Sequence, residues 1–84
     1  MKEILENIAR AIVEKPDEVR VTERQDGEAT VLELSVAPDD MGRVIGKQGK
    51  IARAIRTVIR AAAIRANVRV VVDIVDMPKS APDA

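Results

Sequence analysis

Two glycines separated by two polar residues, Gly46-Lys47-Gln48-Gly49, are the part of this 84-residue chain best suited to chemistry. Helical patterns flank the segment, so we expect a tight turn that exposes backbone N–H groups at the start of the second helix. Glycine lets another molecule's backbone approach without a Cβ in the way, and Lys47 adds a flexible positive charge. The Gly-x-x-Gly pattern is common by chance, but this context favours a loop that contacts phosphate groups.

Basic residues are concentrated around and after this loop, although the chain has a formal net charge of zero, with 14 basic and 14 acidic residues. A segregated basic segment can attract a polyanion even when the whole protein is neutral. Residues 41–72 contain no acidic residue and these eight basic ones: Arg43, Lys47, Lys50, Arg53, Arg56, Arg60, Arg65 and Arg69. Three of them, Arg43, Lys47 and Lys50, cluster around the glycine loop, and phosphate contact is the favoured role for the two lysines.

Helical periodicity after the loop places three of the arginines on the side of the helix opposite the core. At about 100° per residue, one arc roughly 100° wide holds the predicted core stripe, which consists of Ile51, Ile55, Val58, Ile59 and Ala62. The opposite side carries Arg53, Arg56 and Arg60. A solvated helix face is the simpler interpretation of these three side chains, and a nucleic-acid contact is the alternative.

The composition excludes several kinds of chemistry. The chain has no Cys, so disulfides, thiolate zinc sites and cysteine nucleophiles are excluded. It has no His, the commonest general base, and no aromatic residue on which a nucleic-acid base could stack. No apolar run approaches the ~20 residues of a membrane helix, and the opening residues lack the apolar core of a signal peptide. We therefore expect a cytoplasmic protein with no cofactor, no bound metal and no membrane association.

A nucleotide-binding phosphate loop is the main catalytic alternative for this segment. Only three residues separate Gly42 from Gly46, where that motif has four, and Gln48 stands where a Ser or Thr must reach magnesium. Asp, Glu and Lys remain available for catalysis, but no pair of carboxylates is placed in a recognisable cleft. The sequence therefore predicts a protein that is not an enzyme.

The elements that position the loop follow from periodicity. A helical pattern over residues 2–15 ends before Pro16, and alternating patterns over residues 18–25 and 29–37 predict a hairpin that turns at Asp26-Gly27. The second strand places Thr30, Leu32, Leu34 and Val36 on one face. Four further elements are a short helical turn from Met41 to Ile45 capped by Asp39 or Asp40, a helix from about Lys50 to Ala66, a left-handed stop at Asn67, and a strand over residues 68–75.

This order predicts an α+β fold with one domain. The hairpin strands are antiparallel, and the long helical crossover favours parallel pairing of the strands that it joins. We expect a three-stranded mixed sheet with the helices on one face. The domain spans residues 1–76, and the composition of residues 77–84 predicts a flexible C-terminal tail.

The segment from Val44 to Arg56 resembles a KH domain, and the helix-strand-strand-helix-helix-strand order resembles its type II, prokaryotic arrangement. Residues 1–76 together are similar to the family of small bacterial single-KH RNA-binding proteins called KhpA. The opening Met-Lys-Glu-Ile-Leu-Glu, the segment from Val36 to Gly46 and the basic helix all fit this family. The resemblance covers about nine-tenths of the chain and leaves out the C-terminal tail.

The resemblance implies a groove for about four nucleotides of single-stranded RNA, with the loop holding the backbone and apolar residues and the sheet edge supporting the bases. The RNA-binding candidates that we carry forward are Arg43, Ile45, Gly46, Lys47, Gln48, Gly49, Lys50 and Arg53. The resemblance also implies a homodimer, a multidomain KhpB-type partner, action as an RNA chaperone and post-transcriptional regulator, and effects on cell-wall synthesis and cell shape.

The flank of the long helix is a candidate dimer interface. Thr57, Ala61 and Ile64 lie off the predicted core stripe. At such a position the apolar side chain of Ile64 would be exposed to solvent unless another surface covered it. The alternative is that Ile64 packs on the first helix or the last strand. If such contacts were the main role of the chain, it would be a dimerisation and docking module in which RNA binding is secondary.

Overall fold

The computed structural model describes residues 1–75 and has the predicted element order. Residues 77–84, for which a flexible tail was predicted, lie outside the described residues. The helices and strands, in chain order, are α1 (Lys2–Ile12), β1 (Arg20–Asp26), β2 (Ala29–Ser35), α2 (Met41–Ile45), α3 (Lys50–Ala66) and β3 (Arg69–Ile74). The prediction of an α+β fold is confirmed, and the architecture is that of a type II KH domain.

The three strands form one mixed sheet with β2 in the centre. β1 pairs with β2 in antiparallel register, and a two-residue turn at Gly27-Glu28 connects them. β2 pairs with β3 in parallel register, so that Leu34 lies opposite Ile74. β2 has a strand along each edge, and the side chains of Val31, Glu33 and Ser35, on the face opposite the predicted core face, are buried too.

The core lies between one face of the sheet and the helices, as predicted. Its buried apolar side chains come from every strand and helix: Leu5, Ala9, Val21, Leu32, Leu34, Val44, Ile55, Ile59 and Val72, among others. The parallel crossover from β2 to β3 runs through α2 and α3. The fold therefore places the glycine loop, which connects these two helices, at one end of the layer of helices.

The rotation of α3 differs from the prediction. Ile55 and Ile59 are buried as expected, but the buried stripe continues through Ala52 and Ala63. Ile51 is 37% exposed and Val58 is 50% exposed, so these two predicted core residues lie at the flank. Small side chains at Ala52 and Ala63 let the helix approach the core closely, and periodicity counted on large apolar residues misses this.

The end of α1 also differs from the prediction, because the helix stops at Ile12 and not at residue 15. Asp40 is the physical reason. Its carboxylate accepts hydrogen bonds from the backbone N–H groups of Glu14, at 3.1 Å, and Lys15, at 3.0 Å. The predicted capping role of Asp39 or Asp40 is accordingly wrong, since no side chain caps α2. Asp40 instead ties the end of α1 to the start of α2.

Candidate nucleic-acid interface

The glycine loop is a short, exposed bend between α2 and α3. Gly46 ends α2 with φ 75° and ψ 176°, a single 3₁₀ turn covers Lys47–Gly49, and α3 begins at Lys50. The side chains of Lys47 and Gln48 are exposed. Gly49 precedes the first residue of α3, and no side chain caps this helix terminus. The Lys50 N–H donates to the Lys47 carbonyl oxygen within the 3₁₀ turn, so α3 begins on backbone hydrogen bonds alone, and the positive end of its dipole lies at the loop.

Gly46 is required for this bend on two grounds. Its backbone lies in a region of φ and ψ that is essentially restricted to glycine. A Cβ built on it would also lie 2.6 Å from Ile51 Cγ1. Ile51, which the sequence placed in the core stripe, thus packs beneath the loop. Gly49 has a left-handed backbone with φ 76°, but a Cβ there would meet nothing within 4 Å.

The basic residues predicted to bind RNA fall into two groups, according to whether they form ion pairs. Lys47, Lys50 and Arg53 are exposed, and none of them forms an ion pair within residues 1–75. Arg43 lies at the same end of the molecule, but its guanidinium pairs with Glu14 at 2.8 Å and with Asp40 at 3.4 Å. Because both carboxylates already neutralise Arg43, it is the weakest of the predicted phosphate contacts.

The Asp40 carboxylate holds this end of the molecule together. The hydrogen bond from the Glu14 N–H, followed by that from Lys15 and the charge of Arg43, lowers the pKa of Asp40 below its ordinary value, although burial acts to raise it. Asp40 is 1% exposed. A charged carboxylate at this position therefore fixes α2, and with it the start of the glycine loop, against the end of α1.

Apolar surface lies at the loop and further along α3. Ile45, the last residue of α2, is 37% exposed. Beyond the first turns of α3, a groove of about 120 Å³ separates this helix from the free edge of β3. Its lining residues are Arg56, Arg60, Val70, Val71 and Val72. The sheet edge predicted to support bases is therefore next to the helix that starts at the loop.

Arg56 and Arg60, for which a solvated helix face is the simpler interpretation of the sequence, line this groove. Arg56 Nε donates a hydrogen bond to the Val72 carbonyl oxygen at 3.2 Å, so this side chain reaches across to β3. The signal in the sequence was the four-residue spacing of Arg56 and Arg60, which places both on one side of α3. That spacing does not reveal that β3 lies beside them.

Ile64 is the most exposed large apolar side chain among the described residues, with 70% of its surface accessible. The alternative that it packs on α1 or β3 is therefore wrong. Thr57 and Ala61, its predicted neighbours on the face, are also exposed. Val68, just beyond the end of α3, is 52% exposed and extends the apolar surface.

The sequence profile described as "KhpA/KhpB, KH domain" matches residues 2–74 of this chain. The chain belongs to the KhpA/KhpB family of KH domains. The match covers all six helices and strands and includes the loop Gly46–Gly49. The match stops within the residues that the structure describes, so the KhpA/KhpB domain coincides with the fold above.

Curated relatives agree with this assignment. A protein from Clostridium acetobutylicum named RNA-binding protein KhpA is 60% identical over 75 residues, which are 89% of this chain and 100% of that relative. Another protein of that name, from Halalkalibacterium halodurans, is 55% identical over 76 residues, covering 90% of this chain and 100% of the relative. A third, from Aquifex aeolicus, is 45% identical over 76 residues, covering 90% and 96%.

One solved structure shares the fold at low sequence identity. A variant of Era from Aquifex aeolicus, crystallised with GDP·AlF4⁻, superimposes with a TM-score of 0.64 and 18% identity. The similarity covers 93% of this chain and 31% of the Era chain. At this identity the match bears on the fold alone.

Residues 1–75 lack two further features. No helix in this part of the chain is long and apolar enough to cross a membrane. The same residues contain no cluster of three or more acidic side chains that could hold a metal ion.

Proposed function

We propose that this chain binds single-stranded RNA without catalysis, with the GxxG loop holding the phosphate backbone. The observation that carries the proposal is the loop itself, an exposed bend with two glycines at the start of α3. Its cations Lys47 and Lys50 are exposed and form no ion pair within the part of the chain that the structure describes. KH domains use such a loop to clamp about four nucleotides. The curated KhpA relatives carry the name RNA-binding protein, which supports the same activity here.

The bases would lie beside the loop, in contact with Ile45 and with the groove between α3 and β3. Aliphatic side chains and a free strand edge can support bases without aromatic stacking, so the absence of Phe, Tyr and Trp is compatible with this site. Lys50 and Arg53 follow the loop along α3 and would contact neighbouring phosphates. Arg43 would contribute only if RNA displaced its two carboxylate partners.

Membership of the family supports a proposal for the wider role. We propose a cytoplasmic RNA chaperone and post-transcriptional regulator that acts as a homodimer and together with a KhpB-type multidomain KH protein, with effects on cell-wall synthesis and cell shape. The exposed face of Thr57, Ala61 and Ile64 supports self-association, because Ile64 and Val68 together form an apolar surface that a second copy of the chain would cover.

Changing Lys47 and Gln48 to aspartate (K47D, Q48D) tests the proposed function. Both side chains are exposed, and aspartate tolerates the left-handed backbone at Gln48, where φ is 56°. We therefore expect the variant to fold. Its two carboxylates would repel the phosphate groups that the loop is proposed to bind. We expect the affinity for single-stranded RNA to fall at least about tenfold at physiological salt, measured by fluorescence anisotropy.

The matched control changes Lys2 and Asn7 on α1 to aspartate, which alters the net charge equally at two exposed positions away from the loop. Unchanged RNA affinity in the K47D, Q48D variant would contradict the clamp. If that variant kept its RNA affinity but lost its partner protein, the chain would instead be the dimerisation and docking module.

A further inference from the structure

Arg43 differs from the other basic residues near the glycine loop, because two carboxylates hold its guanidinium. Its Nη2 donates to Glu14 at 2.8 Å, and its Nε lies 3.4 Å from Asp40. Glu14 follows the end of α1, and Asp40 directly precedes α2. Lys47 and Lys50, in contrast, form no ion pair within residues 1–75. One positive charge at this end of the molecule is therefore withheld from an approaching phosphate.

Arg43 lies close to the glycine loop along α2. It precedes Gly46 by three residues, a distance of about 4.5 Å along a helix axis. The Gly46 N–H donates to the Gly42 carbonyl oxygen at 2.9 Å, so the helical turn continues as far as the loop. Residues three apart are neighbours on the surface of a helix. The long side chain of Arg43 can therefore contact a phosphate at the loop once its guanidinium is released.

Glu14 and Asp40 would be left in different surroundings if Arg43 moved away. Asp40 is 1% exposed, but it also accepts hydrogen bonds from the backbone N–H groups of Glu14 and Lys15, and these remain. The side chain of Glu14 is 70% exposed, so water would hydrate it. Its contact with Arg43 is nevertheless the shortest ion pair within residues 1–75. Glu14 is therefore the main competitor of a phosphate for this guanidinium.

We propose that Glu14 limits the RNA affinity of this chain by competing with phosphate groups for Arg43. The proposal rests on the proposed RNA binding at the glycine loop, and it adds an affinity-determining residue outside the predicted RNA-binding set. A carboxylate and a phosphate accept the same guanidinium N–H groups, so one excludes the other. Without the Glu14 carboxylate, RNA has only Asp40 to displace, and the loop gains one cation.

Glu14→Gln in the full chain tests the proposal, with the binding of labelled hexauridine measured by fluorescence anisotropy. The amide removes the charge, keeps the shape of the side chain and leaves the backbone N–H that donates to Asp40. We expect the RNA affinity to rise about threefold to fivefold, which is the contribution of an exposed ion pair. The plot of log affinity against log salt concentration should become steeper by about 0.7, because one further phosphate is neutralised.

Arg43→Gln, made in the wild type and in Glu14→Gln, shows which residue carries the gain. In the Glu14→Gln background it should remove both the higher affinity and the added salt dependence. Its cost should therefore be larger there than in the wild type. Thermal unfolding followed by circular dichroism checks that all four proteins are folded at the temperature of the assay.

Asp17→Asn is the matched control for a general effect of charge. Asp17 lies three residues after Glu14, is exposed, and pairs with no cation within the part of the chain that the structure describes. The substitution removes the same charge from the same segment without releasing Arg43. Because salt screens exposed charges, we expect an affinity within about 1.5-fold of the wild type.

The proposal is wrong if Glu14→Gln leaves the RNA affinity unchanged or lowers it, if Asp17→Asn raises the affinity equally, or if the gain survives Arg43→Gln. Each of these results leaves RNA binding itself in place. If the wild type does not bind hexauridine, or if the K47D, Q48D variant binds it equally well, the proposed function fails first. The two failures are therefore distinguishable.

Discussion

At the scale of single residues, the loop depends most on Gly46. Its φ of 75° with ψ of 176° is essentially closed to residues with a Cβ, and Ile51 fills the space where a Cβ would lie. The two requirements have different origins, one local and one tertiary. The Gly-x-x-Gly pattern predicts a backbone conformation that needs glycine. It does not predict the contact with Ile51, because periodicity assigns Ile51 to the core stripe.

Gly46→Ala should destabilise the domain by roughly 2–4 kcal/mol, since the substitution combines backbone strain with a clash. The measurement is urea unfolding followed by circular dichroism. Gly49→Ala is the comparison, because Gly49 has the milder left-handed backbone, with φ 76° and ψ 15°, and open space around the added Cβ. We expect it to cost only about 1–2 kcal/mol. Equal losses for the two variants would show that neither the backbone conformation of Gly46 nor its contact with Ile51 restricts the loop more than Gly49 does.

The interaction partners of two arginines could not be predicted from the sequence. Arg43 and Arg56 both belong to a stretch without acidic residues, so both looked free along the chain. The fold brings Glu14 and Asp40 to Arg43, and the Val72 carbonyl to Arg56. These partners are 3 to 29 residues away in sequence. Counting charges in a segment cannot detect them, whereas Lys47 and Lys50, at the tip of a bend, stay exposed as predicted.

At the scale of helices and strands, order and type were predictable because they depend on local periodicity and on turn residues. Asn67 ends α3 in a left-handed conformation with φ 60°, and the crossover makes β2 and β3 parallel, both as predicted. The rotation of α3 and the end of α1 were not predictable in the same way. The first depends on small alanines at the interface, and the second on Asp40, which belongs to a distant part of the chain.

Asp40 should make the stability of the domain depend on pH. Its pKa is lowered in the folded state, chiefly by the Glu14 N–H, from an ordinary value of 3.8. The stabilisation is therefore complete above the ordinary value and is lost as the pH falls through the lower folded value. Asp40→Asn should lower the Tm by about 5 °C at neutral pH, and the difference from the wild type should shrink below about pH 4.

Thermal unfolding of both proteins across this pH range measures the effect. Asp39→Asn is the neighbouring control, because Asp39 is 82% exposed and pairs only with Lys15, at 3.4 Å. An exposed pair of this kind contributes little, so we expect a Tm close to that of the wild type. A difference between the wild type and Asp40→Asn that persisted undiminished below pH 3 would show that the charge of Asp40 is not what links α1 to α2.

At the scale of the whole molecule, one KH domain is a weak RNA binder, because one loop contacts few phosphates. The formal net charge of zero also gives little long-range attraction for RNA. It equally gives little repulsion between two copies of the chain. A dimer through the exposed face of α3 would hold two loops on one RNA, which raises affinity without any new contact to a nucleotide.

Ile64→Asp tests this arrangement, because it places a charge on the side chain with 70% exposure and should convert a dimer into monomers. Analytical ultracentrifugation measures the mass, and Asn7→Asp on α1 adds the same charge at an exposed control position. The monomer should bind a hexanucleotide as the wild type does, but lose about tenfold or more of its affinity for an RNA long enough to span two loops. If the wild type is a monomer at every concentration measured, the proposed dimer is wrong. If the Ile64→Asp variant keeps the mass of a dimer, the interface does not include Ile64. Equal affinities for the long RNA would mean that each loop acts alone even within a dimer, so that tight binding would have to come from another protein.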